Sequence, residues 1–165
     1  DAIRSTAYEA KARGADGVLL IPGVTGFDAL QRLARDSEFA LPIMAHPAFA
    51  GPYVLSPDTG MSHRAFFGDL MRLAGADISV FPNWGGRFGF TQAASAEIIA
   101  GCRDPQGLGR VILPSPGGGM SVERIPEMMR DYGPDTVYLL GGSLLRLGDR
   151  LGEGIRELRA ALDVV

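Results

Sequence analysis

Pro114-Ser115-Pro116-Gly117-Gly118-Gly119 and Gly141-Gly142-Ser143 decide how this chain reads. Each follows a short apolar run, Val111-Ile112-Leu113 and Thr136 to Leu140. A glycine-lined turn after a buried strand lets backbone N–H groups approach an anion, because no Cβ stands in the way. Two such turns on adjacent strands of an α/β barrel make a phosphate site. Neither is a G-x-G-x-x-G fingerprint, which argues against a dinucleotide. A helix starting at Ser121 would add the positive end of its dipole. Ser121 stands at the cap, but the third position is Arg124, where a capping box has Glu or Gln.

The same alternation runs through the rest of the chain. A first helix, with Ile3, Ala7 and Ala10 on its apolar face, is stopped by Gly14. Strands are expected at 17–21, 41–46, 78–81, 111–113 and 136–140, with helices at about 27–35, 62–73, 91–101, from 121, and 149–162. Thr91 is a good N-cap. An irregular stretch from Pro47 to Gly60 carries Pro47, Pro52 and Pro57. Apolar strands alternating with amphipathic helices imply a parallel sheet. A five-stranded doubly wound sheet and part of a (β/α)8 TIM barrel both fit. Recurrent glycine-rich corners on one face, and five strand–helix units after an opening helix, favour the partial barrel. No linker or low-complexity segment divides the chain, so one domain over 1–165 is expected.

Composition narrows the function. The 165 residues carry a net charge of −3, which argues against nucleic acid. Lys11 is the sole lysine and lies in a solvent-facing helical pattern, so no lysine base is expected. Cys102 is the single cysteine, which excludes an intrachain disulfide and fits a reducing cytoplasm. No apolar run reaches the roughly 18 residues of a membrane span, and the residues from Asp1 do not read as a signal peptide.

Three further features suggest chemistry. His46, in Ala45-His46-Pro47-Ala48, ends an apolar strand, where an imidazole can bond a substrate hydroxyl or transfer a proton. Asn83 opens the loop Asn83-Trp84-Gly85-Gly86-Arg87-Phe88 and is a substrate-binding candidate. Arg87 in that loop can close over an anion. His63, at a helix start, reads as structural. The carboxylates fall on helices or before strands, so no metal site is expected from this chain.

These segments resemble the RuBisCO large-chain superfamily, and its RuBisCO-like branch most. The resemblance rests on His46-Pro47-Ala48-Phe49-Ala50-Gly51, Gly60-Met61-Ser62-His63-Arg64, Leu73-Ala74-Gly75-Ala76-Asp77, Phe81 to Arg87, Pro114 to Met120 and Gly141-Gly142-Ser143. It implies the C-terminal part of that barrel, strands four to eight. It implies that Gly118, Gly119, Gly141 and Gly142 are phosphate-binding backbone and His46 an active-site histidine. Arg87 falls where the carboxylase has a lysine, Pro47 replaces the arginine for a second phosphate, and Gly117 replaces a serine. Those departures point to a substrate with one phosphate. The implied chemistry is Mg²⁺-dependent enolisation of a phosphorylated keto sugar or sugar acid, by an enolase, isomerase or decarboxylase. The metal ligands would precede Asp1, and the full-length protein would be a homodimer. The competing readings are a true carboxylase relative and a stand-alone, non-catalytic phosphometabolite-binding module.

Overall fold

The computed structural model describes residues 2–56 and 58–163. Asp1, Pro57 and the valines at 164 and 165 lie outside the described residues. The chain opens with α1 (Ala2–Ala12), β1 (Val18–Leu20), a single turn α2 (Pro22–Thr25) and α3 (Phe27–Ala34). After β2 (Ile43–Ala45) come α4 (Gly51–Val54), a π-helix (Arg64–Leu70) and α5 (Met71–Ala74). Next are β3 (Ile78–Pro82), α6 (Gln92–Arg103) and β4 (Leu113–Gly117). A 3₁₀ turn (Val122–Arg124) leads into α7 (Ile125–Tyr132). Then follow α8 (Gly142–Leu145), a second 3₁₀ turn (Gly148–Arg150) and α9 (Leu151–Asp163).

The four strands are parallel and lie side by side in chain order. This order decides between the two architectures. Right-handed crossovers in unbroken sequence put every helix on the same face, whereas a doubly wound sheet must reverse its order to cover both faces. The sheet is therefore a barrel segment. Ser79 Oγ donates to the Phe67 carbonyl of the π-helix at 2.6 Å, which marks the helix side of β3. Strand alternation puts Phe81 on that side and Ile78, Val80 and Pro82 on the other. The buried core, including Leu30, Ile43, Phe67, Phe81, Ile98 and Met128, lies between sheet and helices. The opposite face is open at Leu19 and Leu113, 50% and 40% exposed, while Val80 on the same face is buried.

The helix layer is close because it is glycine-matched. A Cβ on Gly68 of the π-helix would stand 2.8 Å from Cα of Gly101 on α6. Arg72 of α5, 2% exposed, ties that helix to α6 and to the next loop. It donates to the carbonyls of Gly101, Gly109 and Arg110. Thr91 caps α6 as expected, its Oγ1 accepting from the Ala94 N–H.

Two expectations about the strands need correction. The fourth strand was expected at 111–113 with a corner from Pro114, yet β4 runs from Leu113 to Gly117 and the corner begins at Gly118. Alternate residues of a strand bond to opposite neighbours. Leu113 N–H donates to Asp77 and the Gly117 carbonyl accepts from Asn83, so the odd positions serve β3. Pro114 and Pro116 face the other side and cost the β3–β4 ladder nothing. The fifth strand is the second correction, since the segment around Thr136 to Leu140 forms no regular strand. Val137 and Leu139 N–H groups donate to the carbonyls of Pro114 and Pro116 at 3.0 and 3.2 Å. The prolines have no N–H to return, so the pairing is one-way. A third, smaller difference is at Ser121, which makes no side-chain cap and opens a 3₁₀ turn rather than α7.

Candidate phosphate-binding site

A cavity of about 500 Å³ opens where β2, β3 and β4 end. His46 and Phe49 line it after β2, Arg87 and Phe88 after β3, and Gly117 and Gly118 at the end of β4. The structure thus brings His46, Arg87 and Gly118 together although they are distant in the chain.

Gly118 and Gly119 adopt φ of 75° and 90°, the left-handed region where glycine alone is unstrained. Among the described residues, no carbonyl or side chain accepts from the N–H groups of Gly118, Gly119, Gly141 or Gly142. Free N–H groups on a left-handed turn form an anion-binding concavity. Gly118 lines the cavity and Gly119 continues the turn, exposed. Gly141 and Gly142 are exposed at the start of the four-residue α8 and do not line this cavity. Leu139, two residues before Gly141, does line it, with Cδ2 3.0 Å from where a Gly117 Cβ would stand.

His46 is half-buried, and its Nδ1 accepts from the Ala48 N–H at 3.1 Å. Its backbone N–H donates to the Leu20 carbonyl, which fixes the residue at the strand end. With Nδ1 accepting, a neutral ring carries its proton on Nε2. Arg87 is exposed, with its guanidinium 4.7 Å above the Phe88 ring.

Asn83 goes elsewhere. It is fully buried on the helix side of the sheet. Oδ1 accepts from Tyr132 Oη at 2.6 Å, and Nδ2 contacts the sulfurs of Met120 and Met128 at 3.1 and 3.2 Å. Burial pushes the Tyr132 hydroxyl up to about 12, so it stays a donor to Asn83. His63, read from the sequence as structural, stacks on Phe67 and meets the edge of Phe90. Cys102 is buried and its thiol is pushed up to about 12 by desolvation, which makes it inert. Among the described residues, no group of three His, Cys, Asp or Glu could hold a metal ion, so the residues present do not fit Mg²⁺. None of the described helices is long and apolar enough to cross a membrane.

Sequence reasoning missed the roles of three residues, Phe49 and Phe88 in the cavity wall and Arg124 outside it. Phe49, with φ of 63° and 69% exposed, is an apolar side chain held at the mouth in a strained conformation. Phe88 lies over the glycine turn, its Cε2 2.8 Å from a Gly118 Cβ position. Arg124, the odd residue of the supposed capping box, reaches the neighbouring loop. Its guanidinium lies 4.7 Å over the Trp84 ring, and Nη1 donates to the Trp84 carbonyl at 3.1 Å. Only the misplaced Arg in the box signalled this.

No family model matches the chain. It is 39% identical over 153 residues to 5-methylthioribulose-1-phosphate isomerase of Rhodospirillum rubrum, covering 93% of this chain and 39% of that protein. It is 36% identical over 164 residues to 2,3-diketo-5-methylthiopentyl-1-phosphate enolase of Geobacillus kaustophilus, covering 99% and 40%. The crystal structure of a rubisco-like protein (MtnW) from Alicyclobacillus acidocaldarius superposes with a TM-score of 0.88 at 32% identity, covering 96% of this chain and 40% of that one. RuBisCO from Pyrococcus horikoshii shares the fold at a TM-score of 0.86 and 24% identity. The matches extend through the segments that form the cavity, and the sheet described above superposes on part of the RuBisCO barrel. The chain belongs to the RuBisCO-like protein family and spans about two fifths of the length of the curated relatives it matches.

Proposed function

We propose that this chain is the C-terminal, phosphate-binding portion of a RuBisCO-like barrel enzyme that enolises or isomerises a phosphorylated keto sugar or sugar acid. The left-handed Gly118–Gly119 turn, with N–H groups no described residue accepts from, carries the reading. The glycines at 141 and 142, exposed beyond Leu139 and outside the lining of this cavity, are assigned as a second phosphate-binding corner on the family resemblance alone. Relatives named as a methylthioribulose-phosphate isomerase and a diketo-methylthiopentyl-phosphate enolase support a substrate with one phosphate. The cavity supports it too. Apart from His46, Arg87 and the glycine backbone it is walled by Phe49, Val54, Leu55, Phe67 and Phe90, a surface suited to an apolar tail rather than a second anion.

Within this portion, Arg87 offsets the charge of the bound anion, and His46 holds a substrate oxygen. Because Nδ1 is occupied by Ala48, His46 donates from Nε2 to a carbonyl or hydroxyl oxygen and steadies the negative charge formed when a neighbouring carbon loses its proton. The base that takes that proton, and any metal, are contributed by residues outside those described. Dimer assembly is proposed for the whole protein by analogy with the RuBisCO of Hyperthermus butylicus, named as dimeric.

The test is an ¹⁵N-NMR titration with inorganic phosphate. The amides of Gly118 and Gly119 move on saturation, and Gly119→Asp removes the response. Unmoved glycine amides, or a Gly119→Asp chain of unchanged affinity, end this reading.

A further inference from the structure

We infer that Arg124 is a positioning residue that clamps the loop from Asn83 to Gly89 onto the Gly118–Gly119 turn, and so places Arg87 at the cavity. Its importance for binding rests on the phosphate reading above; the clamp itself does not.

Arg124 makes three kinds of contact at once. Its guanidinium carbon Cζ lies over the Trp84 ring, 4.7 Å from the ring centre. Nη1 donates to the Trp84 carbonyl at 3.1 Å. Nε pairs with Glu127 at 3.3 Å, which holds the side chain from behind. The arginine side chain is 22% exposed, so the stacking is partly desolvated.

The loop is shaped to accept this clamp. Gly85 has φ of 68°, and a Cβ there would meet Arg124 Nη2 at 3.1 Å. Next to it, Gly86 lies directly on the glycine turn, where a Cβ would collide with the Gly118 carbonyl. Arg87 and Phe88 follow, both lining the cavity. One arginine, five residues past Gly119, thus grips the loop at Trp84, two residues before its contact with the turn. Chain geometry then carries the constraint to Arg87, three residues beyond Trp84. Released from the clamp, the loop keeps its freedom at Gly85, Gly86 and Gly89, and Arg87 is no longer held over the anion.

Trp84 is the sole tryptophan, so it reports the clamp directly. The experiment compares acrylamide quenching of Trp84 in the wild-type chain, Arg124→Gln and Arg124→Lys, with far-UV circular dichroism to confirm folding. Each protein is then titrated with inorganic phosphate. Arg124→Gln should raise the quenching constant about twofold, since the stacked cation no longer covers the ring. It should weaken phosphate about fivefold if the loop is then seated about a fifth of the time. Arg124→Lys keeps the charge without the planar stack and should fall between. Equal quenching in wild type and Arg124→Gln overturns the clamp. Raised quenching with unchanged phosphate affinity overturns the positioning role. A wild-type chain that binds no phosphate refutes the phosphate reading instead, and the quenching comparison alone then decides the clamp. Should Arg124→Gln fail to fold, Glu127→Gln, which loosens the arginine from behind, must raise quenching for the clamp to stand.

Discussion

Gly119 and Gly86 touch backbone to backbone: a Cβ on Gly119 would stand 2.7 Å from the Gly86 Cα. Two glycine corners that follow different strands are thereby pressed into a single floor. Gly119→Ala meets both this contact and a φ of 90°. We expect it to lower stability by about 1–3 kcal/mol, measured by urea unfolding. The loop should lift as well, so that acrylamide quenching of Trp84 rises. A stability unchanged from wild type contradicts the contact.

The helix layer depends on a second glycine pair. Gly68→Ala puts a methyl group 2.8 Å from Gly101 Cα, in backbone that cannot yield as a flexible side chain would. The expected loss is about 1–3 kcal/mol. Because this crossing lies behind the sheet, phosphate affinity should be retained in whatever fraction remains folded, read from the NMR titration.

Asn83 distinguishes support from binding. Asn83→Ala leaves the buried Tyr132 hydroxyl without its acceptor, and should cost about 1–3 kcal/mol. A purely structural Asn83 predicts a lower melting temperature with little change in phosphate affinity below the transition. A loss of affinity at full folding would instead return Asn83 to the binding residues.

Acid tests the attachment of α1. Asp36 accepts from Arg4 at 2.8 Å and from Tyr8 Oη at 2.8 Å, and the Arg4 hydrogen bond in particular holds its carboxyl down at about 2. The usual value is about 3.9. A depressed folded pKa means stability present above about pH 4 and lost as pH falls toward 2. Asp36→Asn should therefore be less stable at neutral pH, and its melting temperature should fall less between pH 5 and 2. Parallel curves for the two proteins would contradict the linkage.

Local pattern was enough for most of the architecture. Apolar runs such as Val18–Leu20 and Ile78–Pro82, alternating with amphipathic helices, specify a parallel sheet because burial on such strands depends on neighbours in sequence. The cap at Thr91 and a glycine-rich corner holding Gly118 and Gly119 were legible for the same reason, while the corner's start and its left-handed conformation were not. The sequence singled out His46, Arg87 and Gly118 as separate candidates, which the fold brings to one cavity, and the family was legible.

Tertiary structure decided what depends on partners far along the chain. Pro114 and Pro116 read as strand breakers, yet they sit in β4 because their missing N–H groups face Val137 and Leu139 rather than β3. Asn83 reads as a loop residue, yet the pleat turns it to Tyr132 and two methionines. Arg124 reads as a failed capping box, yet it completes a clamp on a loop about forty residues upstream. Sequence spacing fixes which face a side chain takes only once the strand's extent is known, and that extent is set by hydrogen bonds to another strand.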